Sequence, residues 1–321
     1  MLNLFILRIS AAIFLFTAMA AAGAQDTRTV TLVVPFAAGS AQDILARLIS
    51  EPLGQALNAR VLVVNKPGAG GTMGAAFVAQ AKPNGETLLM ASSGHHLAGA
   101  MYPRLSYHPV DSFRAVAFTG SSDFVLVTAS SMASPDLATF VAQVKAQPNG
   151  FNYASAGAGS TTHVGMASFL SRANLQMLHL PLKGTNEVIN ELLSGRVQAA
   201  MVSAFSIHLY KADPRLQLLA STDTQKSEQI PELPTLHETG YPHFKWTVWT
   251  GVLAPAGTAT SIVQDINRAV TKAYADPQIQ KRFQQMGIAP RPMSLAQFDG
   301  LLREDWQKTK AQLIQSKTLL D

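Results

Sequence analysis

Cysteine is absent from the 321 residues. That removes disulfide staples, thiol catalysis and cysteine metal sites from the readings open to this chain. Charge is sparse too: Asp, Glu, Lys and Arg make up 14% of the residues, and the two signs alternate along the chain. No Lys/Arg block interleaved with aromatics occurs, so a nucleic-acid partner has no electrostatic footprint. The net charge of +5 is a weak pull toward an anionic ligand and decides nothing alone. Long apolar runs are missing apart from Ile9 to Ala20. This run follows Arg8, is shorter than the ~20 residues that span a bilayer, and leads into the small-x-small triplet Ala22-Gly23-Ala24. It predicts a secretory signal, 1–24, cleaved after Ala24, and an exported, soluble mature chain.

The mature chain alternates short β-branched runs with longer amphipathic segments, the mark of an α/β fold. Strands are expected at Thr29–Val34, Val61–Val64, Glu86–Ala91 and Arg114–Phe118. Helices are expected at about Gln42–Leu57 and Met73–Ala81. The pattern then restarts, with strands at Phe124–Thr128, Asn152–Ser155, Met177–Leu180, Ala199–Val202 and Gln217–Ala220. Between them fall helices at Pro135–Ala146, with Ser134 as candidate N-cap, and from about Thr162. A late strand, Trp246–Leu253, precedes two or three terminal helices. Two rounds of alternation predict two lobes, one discontinuous (25–122 plus 246–321) and one continuous (123–245).

Three strand-to-helix junctions are rich in glycine and small hydroxyls: Phe36 to Asp43, Gly68 to Gly74, and Ser155 to His163. Glycine lets backbone approach a ligand, and the free N–H groups of a first helical turn favour a carboxylate or phosphate there. One such loop is an ordinary tight turn; three in one chain point to a pocket at the carboxyl ends of parallel strands.

Enzyme readings fare worse. The second junction, Gly68-x-Gly70-x-x-x-Gly74, misses the dinucleotide fingerprint by one residue, and no acidic residue ends a strand at the required distance. Ser155 lacks the first glycine of a nucleophile elbow, and Ser160 with His163 on one turn is not a triad. His95-His96, read as the end of a strand, would point to opposite faces near a cleft mouth. No zinc-type spacing occurs, so neither a metal nor a cofactor is expected. Asp43 serves either its own helix or a ligand. Lys183 reads as solvated, and Trp246 and Trp249 as core or cleft wall.

At these junctions the chain resembles the Bug family, the periplasmic substrate-binding proteins of tripartite tricarboxylate transporters. Val34 to Gly39 with Asp43 and Ala46-Arg47, Val64 to Gly71, and Lys82 to Leu89 carry the likeness. Tyr153 to Ser155, Lys183-Gly184 and Leu253 to Thr258 complete it, in the family's order and spacing. The resemblance implies a type II periplasmic-binding-protein fold, each lobe a mostly parallel sheet flanked by helices that closes like a flytrap. It also implies a periplasmic protein that is not an enzyme, with a small organic acid as ligand and a transporter's membrane subunits as partners; a monomer suits lobe closure. Carried onto this chain, the family's pocket uses Phe36, Gly39, Ser40, Asp43, Ser92, Ser155, Ser160, Thr161 and His163, with Ser203 and Phe205 from the second lobe.

Three departures bear on the ligand: Ser40 replaces a second glycine, Leu182 an aromatic, and Ser203 a frequent aspartate. Without that aspartate a ligand ammonium lacks its natural partner. The expected ligand is therefore a di- or tricarboxylate or an aromatic carboxylate. A ligand sensor for a signalling partner would share the fold and pocket. An exported α/β hydrolase would need a nucleophile, base and oxyanion site that the chain does not offer.

Overall fold

The computed structural model describes residues 28–102, 104–227, 230–286, 288 and 293–316. The expected signal segment lies outside them. Strand β1 (Thr29–Val34) pairs in parallel with β2 (Arg60–Asn65) and β3 (Thr87–Ser92). Helices α1 (Ala41–Leu57) and α2 (Thr72–Ala79) make the connections. An unbroken apolar run is what a strand covered on both faces requires. Accordingly Val30, Leu32 and Val34 pack on Leu45 and Ile49 of α1, while Val33 packs with Ala75 and Val78 of α2.

Helix α3 (Ser93–Met101) follows β3 directly and was not anticipated. It corrects the reading of His95-His96 as a strand end at a cleft mouth. Both histidines are helical and buried, His95 against the Pro109 carbonyl and His96 against Asp305.

The two strands expected at Arg114–Phe118 and Phe124–Thr128 are one, β4 (Phe113–Ala129). Its first part pairs antiparallel with β9 (Thr247–Pro255), through Gly120↔Thr250 to Asp123↔Thr247. Its last part pairs antiparallel with β7 (Ala199–Ser203) and β8 (Leu216–Ser221). Register shifts between Ala115 and Ala117 and between Phe118 and Gly120 interrupt the strand pattern, which made one strand read as two.

Beyond β7 lie β5 (Asn152–Ser155) and β6 (Leu178–Pro181), both parallel. The full order is β2-β1-β3-β9-β4-β7-β5-β6, with β8 also on β4. The sheet is therefore mixed, parallel toward both ends and antiparallel in the middle. Helices α4 (Leu137–Ala146), α5 (Thr161–Ala173), α6 (Thr185–Leu193) and the one-turn α7 (Ala204–Ile207) serve the second half. Helices α8 (Thr260–Tyr274), α9 (Pro277–Gln285) and α10 (Leu295–Ser316) close the chain. Helix α4 is capped by Asp136, which accepts the Thr139 N–H at 2.7 Å, rather than by Ser134. Ser134 instead donates to Gln143.

The registers decide where the junctions go. Ser92, at the end of β3, lies level with Thr250, and Thr250 with Gly120 of β4. Ser203, at the end of β7, lies level with Phe124. β7 runs opposite to β4, so the carboxyl ends of β1 and β3 face those of β5 and β7 across residues 120–124.

Candidate functional site

The first junction is fastened from behind. Gly39 adopts φ +82°, and Ser40 caps α1 by accepting the Asp43 N–H. The Asp43 carboxylate is 3% exposed and accepts from the Gly39 N–H at 2.9 Å, Arg47 Nε at 3.0 Å and Asn65 Nδ2 at 2.9 Å. Hydrogen bonds from the Arg47 guanidinium, the Gly39 amide and Asn65 outweigh burial and hold its pKa at about 2. Asn65 also donates to the Phe36 carbonyl at 3.0 Å. Asp43 thus braces the loop, which leaves Ala37 to Gly39 exposed and Phe36 and Ser40 half-buried.

The second junction meets the first at Phe36. Gly71 has φ +96°, and a side chain there would press on Pro35 and on the tip of the Phe36 ring, 3.3 and 3.4 Å away. The same ring tip lies 3.9 Å from where Gly94 would carry a Cβ, beside the Ser92 hydroxyl. Ser92 itself is buried.

The third junction holds itself together. Ser155 is fully buried; its hydroxyl donates to the Gly157 carbonyl at 2.9 Å and meets His179 Nε2 at 2.7 Å. Ser160 caps α5 by accepting the His163 N–H, and Gly159 N–H donates to His163 Nδ1 at 2.9 Å. His163 stacks on His179 at 3.9 Å. Burial and the neighbouring His179 lower the His163 pKa to about 4, and burial lowers that of His179. Gly159, at φ +74°, abuts α3 across the divide: a Cβ there would lie 2.2 Å from Met101 Cε. Ser203 caps α7 and bonds Ser206 Oγ at 2.9 Å, so its hydroxyl is spent on its own turn. Phe205 falls within α7, and its side chain lies outside the described residues.

Behind these loops a cavity of about 490 Å³ opens between α3, α10, β9 and the start of α5. Thr161 is the one expected site residue that lines it. Its floor is Leu97, Phe118 and the two tryptophans. Trp246 Nε1 donates to the Thr161 carbonyl at 3.0 Å and Trp249 Nε1 to Asp305 at 2.8 Å, so each tryptophan is core with one edge on the cavity. Its rim holds the ion pairs Lys245–Asp223 and Lys308–Glu304. The Ser93 hydroxyl lines it, buried and unpartnered among the described residues. The first two junctions therefore converge on Phe36, while Thr161 links the third to the cavity. Sequence reasoning overlooked Ser93, Met101 and the role of His179. The first two sit in a helix it did not expect, and His179 carried no motif beyond being a histidine on a strand.

Residues 45–319 match the family model described as tripartite tricarboxylate transporter family receptor. The chain is 33% identical over 289 residues to a protein of the tcbD–tcbE intergenic region of Pseudomonas sp. strain P51, covering 89% of this chain and 86% of that one. It is 30% identical over 302 residues to Protein BugT of Bordetella pertussis strain Tohama I, covering 92% and 93%. Among solved structures, MatC of Rhodopseudomonas palustris with bound malate superposes with TM-score 0.77 at 29% identity, covering 89% of this chain and 99% of that chain. The periplasmic binding protein BugD superposes with TM-score 0.78 at 26% identity, covering 91% and 98%.

Proposed function

Because the chain belongs to the tripartite tricarboxylate transporter receptor family, we propose that it closes two lobes around a small organic acid and delivers it to such a transporter's membrane subunits. The lobes are 25–122 with 246–321, and 123–245. The facing carboxyl ends of β1 and β3 against β5 and β7, set by the registers on β4, carry this reading. They bring glycine-rich junctions of both halves to one level, where helix N-termini supply N–H groups for a carboxylate without a cationic side chain.

In this site Phe36, Gly39, Ser40, Ser92, Ser160 and Thr161 face the ligand. Asp43, Ser155 and His163 hold the loops in shape from behind, and Ser203 and Phe205 flank the ligand from the second lobe. Ser203 provides no carboxylate for an ammonium, so the ligand is a di- or tricarboxylate or an aromatic carboxylate rather than an amino acid. A malate-bound relative of similar fold supports that class. Export through residues 1–24 places capture in the periplasm, and the chain acts as a carrier, not a catalyst.

Thermal unfolding of the mature protein, refolded to strip carried-over ligand, tests the proposal against a panel of organic acids. An acid at 100 times its Kd adds about 2.7 kcal/mol and raises the Tm. A shift confined to carboxylates of one class is the expected result. A preference for amino acids would overturn the ligand class, and no shift with any acid would overturn the capture of an acid.

A further inference from the structure

His179 belongs to no glycine-rich junction, yet it closes the hydrogen-bond network of the third one. The parallel register Tyr153↔His179 places it beside Tyr153, with ring centroids 4.9 Å apart. His163 then stacks on His179 at 3.9 Å and 5°.

The bonds assign the protons. Gly159 N–H donates to His163 Nδ1, so that nitrogen is bare and the ring is neutral, with its proton on Nε2. The Ser155 hydroxyl proton goes to the Gly157 carbonyl, so its contact with His179 Nε2 requires an N–H from the histidine. Gly157 N–H returns to Ser155 Oγ at 3.3 Å.

We infer that His179 and His163 are positioning residues for the ligand loop Ser155–Thr161: a stacked pair of neutral imidazoles that decides which loop N–H groups are spent and which are left for a carboxylate. The network consumes the amides of Ala156, Gly157, Gly159 and Ser160, on Thr162 Oγ1, Ser155 Oγ, His163 Nδ1 and the Gly157 carbonyl. The N–H groups of Ala158, Thr161 and Thr162 carry no bond among the described residues, and the last two open the first turn of α5. Their value to an anion comes from that placement.

Protonation works against the arrangement twice. A proton on His163 Nδ1 evicts the Gly159 amide, and two cations 3.9 Å apart repel. The pair is faced by the Tyr153 ring from β5 and by the Ser155 hydroxyl. The nearest charges along the chain are Lys183, after β6, whose backbone N–H donates to Glu187, and Arg172 in the last turn of α5.

The effect on affinity rests on the ligand-capture reading; the effect on the loop does not. Amide hydrogen exchange on the ligand-free mature protein is therefore paired with calorimetric titration of malate. His179→Phe keeps a stackable ring and removes the donor. We expect exchange at Gly157 and Gly159 to quicken about tenfold or more and malate affinity to fall about tenfold, while circular dichroism stays native. His179→Gln, which returns a donor to Ser155, should recover most of the protection. Corrected for the intrinsic pH dependence of amide exchange, protection of the two wild-type glycines should also fall as the pH drops from 6 to 4, and the double variant His163→Gln/His179→Gln should lose that change. Unchanged exchange in His179→Phe, or the same pH profile in the double variant, would overturn the inference. Faster exchange in a protein that takes up no malate would support the positioning role and count against malate as ligand.

Discussion

Asp43 shows how one acid can fasten a glycine-rich junction from behind. Its two oxygens are filled by a glycine amide, a guanidinium and an asparagine amide, all at the back of the junction. Asp43→Asn keeps the shape but loses the charge-assisted bonds, and an amide nitrogen must now face one of three donors. We expect a loss of about 1–3 kcal/mol, read as a lower urea midpoint, and weaker malate binding because Gly39 and Ser40 are no longer fastened. The acid dependence has a definite sign. The folded pKa of about 2 lies below the ordinary 3.8, so the stabilisation is present above pH 3.8 and lost as pH falls toward 2. Part of this was legible beforehand. A residue early in a helix reads as a complement to the helix dipole, and Arg47 one turn on is a natural partner. Asn65 was not legible, because it arrives from the adjacent strand β2. The same limit hid His96, whose partner Asp305 lies 209 residues along the chain.

Elements were easier to read than their ends. Each strand of the two parallel sets was found to within a residue or two, because strands covered on both faces are short apolar runs between turn residues. Helix α3 was not found: it starts directly from β3 with Ser-Gly-His-His, and its inward residues Leu97 and Met101 mark a single turn. The start of α4 was misplaced by two residues, since Ser134 and Asp136 are both good caps and only geometry chooses between them. That choice can be measured. Asp136 accepts the Thr139 N–H, and this bond lowers its pKa. Asp136→Ala should remove the cap and lower the Tm. Ser134→Ala should leave the helix cap intact, so that combining Asp136→Ala with it gives no further change in amide protection at Thr139. A loss of Thr139 protection in Ser134→Ala alone would return the cap to Ser134.

The whole molecule is less cleanly divided than its alternation of strands and helices suggests. Two rounds of β-α pattern make two halves legible, and β4 and β9 join them. The core crosses that line. Leu97 and Met101 of α3 sit in one apolar cluster with Phe140, Phe169 and Met201 of the second half. Helix α10 spans further: Phe298 and Leu302 pack in the first half, and Leu313 is fully buried in the second. A helix seated in both cores resists their separation as a strap does, and it does so through side chains about four turns apart. Leu313→Ala should therefore act on two quantities. It should cost about 2–5 kcal/mol of stability, as large-to-small changes in cores do. It should also weaken malate binding, because the fraction of molecules with the halves together scales the apparent affinity. Phe298→Leu at the other end of α10, edge-on to Phe118 and Trp249, loosens only the first core. It should lower the Tm while leaving malate affinity within about twofold. Titrations of both variants at a temperature where each is folded separate the two effects. Equal weakening by both would mean that α10 adds to stability alone, and that β4 and β9 by themselves govern how the halves approach.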